Sequence, residues 1–197
     1  MTAKPFAPWR NDFTSGSALL LAGVLAFALI WQMQASLFRY GPFALLVVLF
    51  GFWRVQRGYH RWHGKYIEGR ALEALGRRLP DDWKIACNVM TSFGDCDAVI
   101  TTPTTRFVVE IKSVSGVKLQ RRLFRGTSLA FSKGQNANPG SHLAQAARLG
   151  GHAGGVPILW YPRAGRKDFG RMDDIWVVTG SAAMVVRAIK KHLARNG

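Results

Sequence analysis

Hydrophobic residues concentrate in two uncharged runs near the start of the chain, residues 17–31 and 41–53. A membrane-spanning helix needs about 20 residues, so each run reaches that length only with part of residues 32–40. Trp31, Tyr40 and Trp53 stand at the positions of interfacial aromatic anchors. The two runs follow each other closely, which predicts a transmembrane hairpin over residues 15–53. For a single short run, the alternatives are a buried core helix or the apolar part of a signal peptide.

Basic residues around these runs predict their orientation. The connection between the runs contains only Arg39, whereas four cations follow the second run and two precede the first: Arg54, Arg57, Arg61 and Lys65, and Lys4 and Arg10. By the positive-inside rule, the tail 1–14 and the chain after the hairpin are expected in the cytoplasm. The expected localisation is therefore the membrane, with two spans. Residues 54–63 are interpreted as a basic juxtamembrane linker that rests against anionic headgroups of the bilayer.

The pattern changes after residue 64, where the second predicted domain, 64–197, begins. Ile67, Ala71, Leu72, Leu75 and Leu79 recur at helical spacing before Pro80. Three β-branched or aromatic runs, 83–90, 97–102 and 106–114, predict an antiparallel meander. Next come an irregular strand or hairpin over 118–133, a short helix over 140–151, strands over 156–162 and 173–180, and a closing helix over 181–196. The predicted fold class is α/β, a mixed sheet flanked by helices.

Charge narrows the class of partner. Lys and Arg number 27 against 11 Asp and Glu, a formal net charge of +16. Such an excess predicts a polyanionic partner, either nucleic acid or an anionic membrane surface. One basic segment is interleaved with Leu and Phe, and it would follow a phosphate backbone while Phe124 or Phe131 stacks on a base; its cations are Lys118, Arg121, Arg122, Arg125 and Lys133. A solvated basic face explains that segment equally well.

Acidic residues in this basic chain cluster in the segment GDCDAVITTPTTRFVVEIKS, residues 94–113. Side chains alternate along a strand, so Glu110 and Lys112 share a face, and a hairpin through 102–106 brings Asp97 beside them. Two neighbouring carboxylates repel unless a cation lies between them, which predicts Mg²⁺ (or Mn²⁺) at Asp97 and Glu110, with Lys112 orienting a water. The alternative is a solvated strand face with a surface ion pair. Asp95 is either a supporting acid or a turn residue.

The segment from about residue 64 to 116 resembles the nuclease-related domain (NERD) family of the PD-(D/E)XK restriction-endonuclease-like superfamily. The resemblance rests on Glu68 with the leucines behind it, and on LPDDWKI, GDCDAVI, FVVEIKSVSG and the later NPGSHLAQAA. It implies a restriction-endonuclease-like mixed sheet, a metal site at Asp97 and Glu110, catalytic Lys112, and a supporting catalytic Glu68. It also implies that Gln145 takes part in nucleic-acid binding and that the nucleic acid is DNA.

The function expected from these observations is that of a membrane-anchored, divalent-metal-dependent nuclease that hydrolyses phosphodiester bonds in DNA. The alternative is a non-catalytic nucleic-acid-binding or membrane scaffold protein that retains the nuclease-like fold. An intact Asp97, Glu110 and Lys112 set favours the first hypothesis.

Overall fold

The computed structural model describes residues 8–33, 37–122, 126–131 and 138–196. The chain divides into two compact units, Met1–Tyr66 and Ile67–Gly197. Four helices are present in the described residues: α1 (Pro8–Gln32), α2 (Leu37–Gly76), α3 (Pro139–Ala153) and α4 (Ala182–Asn196). The boundary between the units falls within α2.

In the first unit, α1 and the first part of α2 pack closely through glycines. A Cβ added at Gly16 would lie 2.8 Å from Val55 Cγ2, and one at Gly51 would lie 2.8 Å from the backbone nitrogen of Leu20. Asp12 is buried and forms ion pairs with Arg54 at 3.0 Å and with Arg61 at 2.7 Å. The two helices are therefore joined by tight packing and by an ion-pair network.

One helix among the described residues, Trp9–Gln32, is long and apolar enough to cross a membrane, with a mean hydropathy of 2.1. Large apolar side chains of this unit face outward, among them Leu21, Leu29, Phe43 and Leu46. Among the described residues, α2 does not meet the same criterion of length and hydropathy, so the second span of the hairpin stays a prediction.

The helices differ from the predicted ones in their ends. Residues 8–14, placed in the N-terminal tail, are helical, and residues 54–63, interpreted as a linker, lie inside α2. The separate helix predicted after residue 64 is the last part of α2. Between residues 54 and 67 there is no proline and only isolated glycines, so nothing in the chain stops a helix that has already formed.

The second unit is built on a six-stranded mixed sheet in the order β1-β2-β3-β6-β8-β7. Its strands are β1 (Lys84–Thr91), β2 (Gly94–Thr101), β3 (Arg106–Ile111), β6 (Val156–Tyr161), β7 (Asp168–Met172) and β8 (Ile175–Thr179). β1, β2 and β3 form an antiparallel meander; β3, β6 and β8 run parallel; β7 returns antiparallel to β8. β4 (Val117–Arg122) and β5 (Gly126–Phe131) form a separate hairpin. The predicted mixed α/β class is confirmed.

Helices cover both faces of this sheet. Leu75 of α2 and Val185 and Ile189 of α4 pack with Val109 and other residues of the central strands. A second set of buried side chains joins α3 and the β4–β5 hairpin to the other face: Val117, Leu119, Ala146, Leu159, Tyr161, Ala164, Ile175 and Val177. Strands covered on both faces read as continuous apolar runs, which is how β3, β6 and β8 appear in the sequence.

Candidate active site

The β2–β3 hairpin brings the acidic residues of segment 94–113 together. Ala98 pairs with Val109 and Thr101 with Arg106. Continuing this register by one position places Asp97 of β2 opposite Glu110 of β3. The Asp97 carboxylate accepts a hydrogen bond from the backbone N–H of Ile111 at 2.7 Å. At this position a side-chain oxygen of β2, and not a backbone carbonyl, is the acceptor for the N–H of β3.

Glu110 is the buried centre of the site, with 4% of its surface exposed. Its Oε1 accepts hydrogen bonds from Lys112 Nζ and from Gln145 Nε2, both at 2.7 Å. Lys112 Nζ also donates to Gln145 Oε1 at 3.0 Å. The three side chains therefore form a closed triangle of hydrogen bonds. The carboxylate lies inside the protein, which distinguishes this pair from a solvated surface ion pair.

Gln145 reaches the triangle because of the way α3 begins. Asn138 caps the helix, its side chain accepting from Gly140 N at 2.9 Å, and Pro139 occupies the first turn, where a missing N–H costs nothing. Ala146 and Leu149 bury the helix against the sheet. Gln145, next to Ala146, then points its amide at the buried Glu110–Lys112 pair, where one amide group serves as both donor and acceptor.

The charges of the site shift the pKa of two neighbouring groups, the buried Cys96 thiol and the half-buried His142 ring. Burial raises the pKa of the Cys96 thiol, and the negative charges of Asp97 and Glu110 raise this pKa further. Burial lowers the pKa of His142, and the positive charge of Lys112 lowers this pKa further. The site thus has a negative side at the two carboxylates and a positive side at Lys112.

His142 is a further neighbour of the site, and it is not among the residues predicted from the sequence. Its Nδ1 lies 2.9 Å from the hydroxyl of Tyr161. Burial raises the pKa of Tyr161, so the phenol keeps its proton, and its hydroxyl can form this hydrogen bond with either tautomer of a neutral His142. Helical spacing in the sequence could have placed His142 near the site, because it precedes Gln145 by three residues and so shares a face of α3 with it.

The other predicted site residues are placed as follows. Glu68 is half-buried in α2, two helical turns before Leu75, and its part in the site remains a prediction. Lys118 is exposed on β4. Arg121 and Arg122 also belong to β4, but their side chains lie outside the described part of the chain, as do residues Phe124, Arg125 and Lys133 entirely.

Two further alternatives from the sequence can be placed in the fold. Asp95 is exposed and pairs with Met90 in the β1–β2 hairpin. Phe131 packs edge-on against His142 and Tyr161, each with a 6.0 Å separation of ring centroids. Phe131 is therefore part of the packed layer beside the site.

The donor set fits a magnesium ion held mainly by water and substrate. In the described ranges, no group of three or more His, Cys, Asp or Glu side chains is arranged to hold a metal. Asp97 and Glu110 supply two carboxylates. Mg²⁺ usually keeps several waters and is bound through one or two carboxylates together with substrate phosphates, so two such residues are a sufficient protein contribution.

Comparison with known proteins agrees with the sequence resemblance. Residues 63–149 match the family model described as the nuclease-related domain, which confirms the resemblance of this segment to the NERD family. The matched segment contains Asp97, Glu110, Lys112 and Gln145, and it associates this part of the chain with a nuclease-like function. No curated protein and no solved structure matches the chain.

Proposed function

We propose that this protein is a membrane-anchored nuclease that depends on Mg²⁺ and hydrolyses phosphodiester bonds, with DNA as its substrate. The observation that carries the proposal is the buried Glu110 carboxylate, hydrogen-bonded to Lys112 and Gln145 beside Asp97, within a segment that matches the nuclease-related domain. A carboxylate is expensive to bury, and a charged cluster of this kind is typical of a functional site.

The proposed roles follow from the placement of each residue. Asp97 and Glu110 would hold the ion, which when bound would polarise a phosphate oxygen and lower the pKa of a coordinated water. Lys112 keeps 22% of its side chain exposed, so its ammonium can both pair with Glu110 and hydrogen-bond to a phosphate or an attacking water. Gln145 would act by positioning, because its amide holds the carboxylate of Glu110 and the ammonium of Lys112 in one arrangement.

Membrane anchoring is proposed through two spans, 15–53, with the N-terminus and the domain 64–197 in the cytoplasm. It is supported by the length and hydropathy of α1, by the glycine-mediated packing of α1 on α2, and by the outward-facing apolar side chains of both helices. A reporter enzyme fused after Gly197 should be active only in the cytoplasm. A reporter active only outside the cytoplasm would contradict this topology.

The nuclease proposal is tested with the purified full-length chain in a mild detergent. Supercoiled plasmid, linear duplex, single-stranded DNA and RNA are each incubated with Mg²⁺ or Mn²⁺, and again with EDTA. We expect metal-dependent cleavage that EDTA stops and that Glu110→Gln abolishes. Cleavage that persists in EDTA would refute the metal site. Tight, salt-sensitive binding without cleavage under any metal would instead support the non-catalytic nucleic-acid-binding alternative.

A further inference from the structure

The loop between β6 and β7, residues 162–167 with the sequence PRAGRK, lies at the same sheet edge as the candidate active site. β6 runs parallel to β3, with Glu110 opposite Leu159 and Ile111 opposite Trp160. The backbone N–H of Lys112 continues this ladder by donating to Trp160 O at 2.8 Å. Because parallel strands end at a common edge, the chain that leaves β6 emerges beside the chain that carries Lys112.

The loop is held firmly in this place. Ala164 is buried among the side chains that join α3 and the β4–β5 hairpin to the sheet, and its N–H donates to Tyr161 O at 3.2 Å. At the other end of the loop, a Cβ at Gly180 would lie 2.8 Å from Lys167 Cγ, so the stem of Lys167 packs directly on the backbone after β8. Gly180 has φ +87°, a conformation that glycine adopts without strain.

The loop carries concentrated positive charge. Arg163, Arg166 and Lys167 are all exposed, and residues 162–167 include no acid. The adjoining Asp168 accepts a hydrogen bond from the backbone N–H of Phe169 at 2.8 Å. Within the described ranges, Arg166 and Lys167 take part in no ion pair, so both ammonium and guanidinium groups are available to an anionic partner.

We propose that the 162–167 loop binds the phosphodiester backbone of the nucleic acid that occupies the candidate active site. This inference rests on the proposed function and extends it to residues beyond the matched segment 63–149. A polyanion seated at Glu110 and Lys112 passes the edge where the loop stands, and the exposed Arg166 and Lys167 there bind successive phosphates without reading the bases. An anionic membrane surface offers similar charges but gives no reason for cations at this particular edge.

The test measures binding separately from cleavage. The full-length chain in nonionic detergent, with EDTA present, is titrated against a short fluorescent duplex across a KCl series. Arg166→Gln combined with Lys167→Gln should weaken binding at least about tenfold near physiological salt. It should also reduce the slope of log K against log salt by about 1.8, since each phosphate contact contributes about 0.9 for duplex DNA.

The matched control is Lys190→Gln with Arg195→Gln, which removes the same charges from exposed positions of α4. The end of α4 lies at the opposite edge of the sheet, because His192 lines a cavity of about 530 Å³ together with Arg106 and Val156, the first residues of β3 and β6. The control should keep the affinity and salt slope of the parent chain. Thermal unfolding of both variants checks that the fold is unchanged.

The outcomes separate the loop from the nuclease proposal. Loss of binding in the loop variant but not in the control supports the inference even if the parent chain never cleaves DNA, a result that refutes only the proposed function. Equal effects of the two variants, or no DNA binding by the parent, overturn the inference whatever the cleavage assay shows. A loop variant that loses binding to phosphatidylglycerol vesicles while keeping DNA affinity also overturns it, and assigns the loop to lipid headgroups.

Discussion

Replacing Gln145 with leucine removes the amide that joins the two charged members of the candidate site. Glu110 is 4% exposed, so the lost donor cannot be replaced freely by water, and a hydrogen bond to a charged group contributes about 1.5–3 kcal/mol. The Lys112 side chain is 22% exposed, so water can replace the acceptor that its ammonium loses. The loss of this second hydrogen bond therefore adds little to the change in the free energy of unfolding. We therefore expect Gln145→Leu to lower the free energy of unfolding by about 2–3 kcal/mol.

The assay is thermal unfolding of the full-length chain in detergent, followed by tryptophan fluorescence, to which the buried Trp160 and Trp176 contribute. A loss of this size corresponds to a fall in Tm on the order of 5–10 °C for a domain of this length. Gln120→Leu is the matched control, because Gln120 is exposed on β4. If Gln145→Leu unfolds at the same temperature as Gln120→Leu, the Gln145 amide does not stabilise the buried Glu110 carboxylate.

Two further predictions concern the rest of the second unit. Gly150→Ala should destabilise this unit by about 1–3 kcal/mol, because the new Cβ would lie 2.8 Å from Pro157 Cβ. Gly151→Ala should be neutral or stabilising by up to about 1 kcal/mol, because no atom of the described residues would lie within 4 Å of its Cβ. Chemical denaturation of the two variants checks this difference, and equal effects would contradict it. Burial, and then Arg171, lower the pKa of His192, so the folded state favours the neutral ring. The neutral His192 ring contributes fully to the free energy of unfolding above the ordinary histidine pKa of about 6.5. This contribution is lost as the pH falls below that value, because the unfolded state then gains a proton more readily than the folded state. The fall in Tm between neutral and mildly acidic pH should therefore be smaller in His192→Gln, and an identical pH profile would contradict this account.

The part of the site that the sequence predicted is the part determined by local structure. Asp97 and Glu110 stand on strands joined by a short turn in which Thr102 and Thr105 bond to each other. This hairpin places Asp97 beside Glu110, and strand alternation places Glu110 and Lys112 on one face. Gln145 is different: it meets Lys112 from 33 residues away, and only the family resemblance singled it out. In the structure Gln145 contacts Glu110 and Lys112, and its expected part in nucleic-acid binding stays a prediction.

The parts that the sequence left out depend on packing over longer distances. β7 was missed because DFGRM has a central glycine and little apolar alternation, and it is defined instead by its pairing with β8. The 162–167 loop reads as an ordinary polar connection. Only the parallel pairing of β6 with β3 shows that it stands beside Lys112.

The proposed function requires that Asp97 and its neighbours cleave phosphodiester bonds with a bound metal ion. Asp97→Asn tests it most directly, with Asp95→Asn as control, since Asp95 lies two residues away, is exposed, and pairs in the β1–β2 hairpin. The measurement is the initial rate of duplex DNA cleavage by each full-length variant in Mg²⁺. A metal contributes several kcal/mol to the transition state, so Asp97→Asn should slow cleavage by more than about a hundredfold while Asp95→Asn stays near the parent rate. Cleavage at the parent rate by Asp97→Asn would contradict the account.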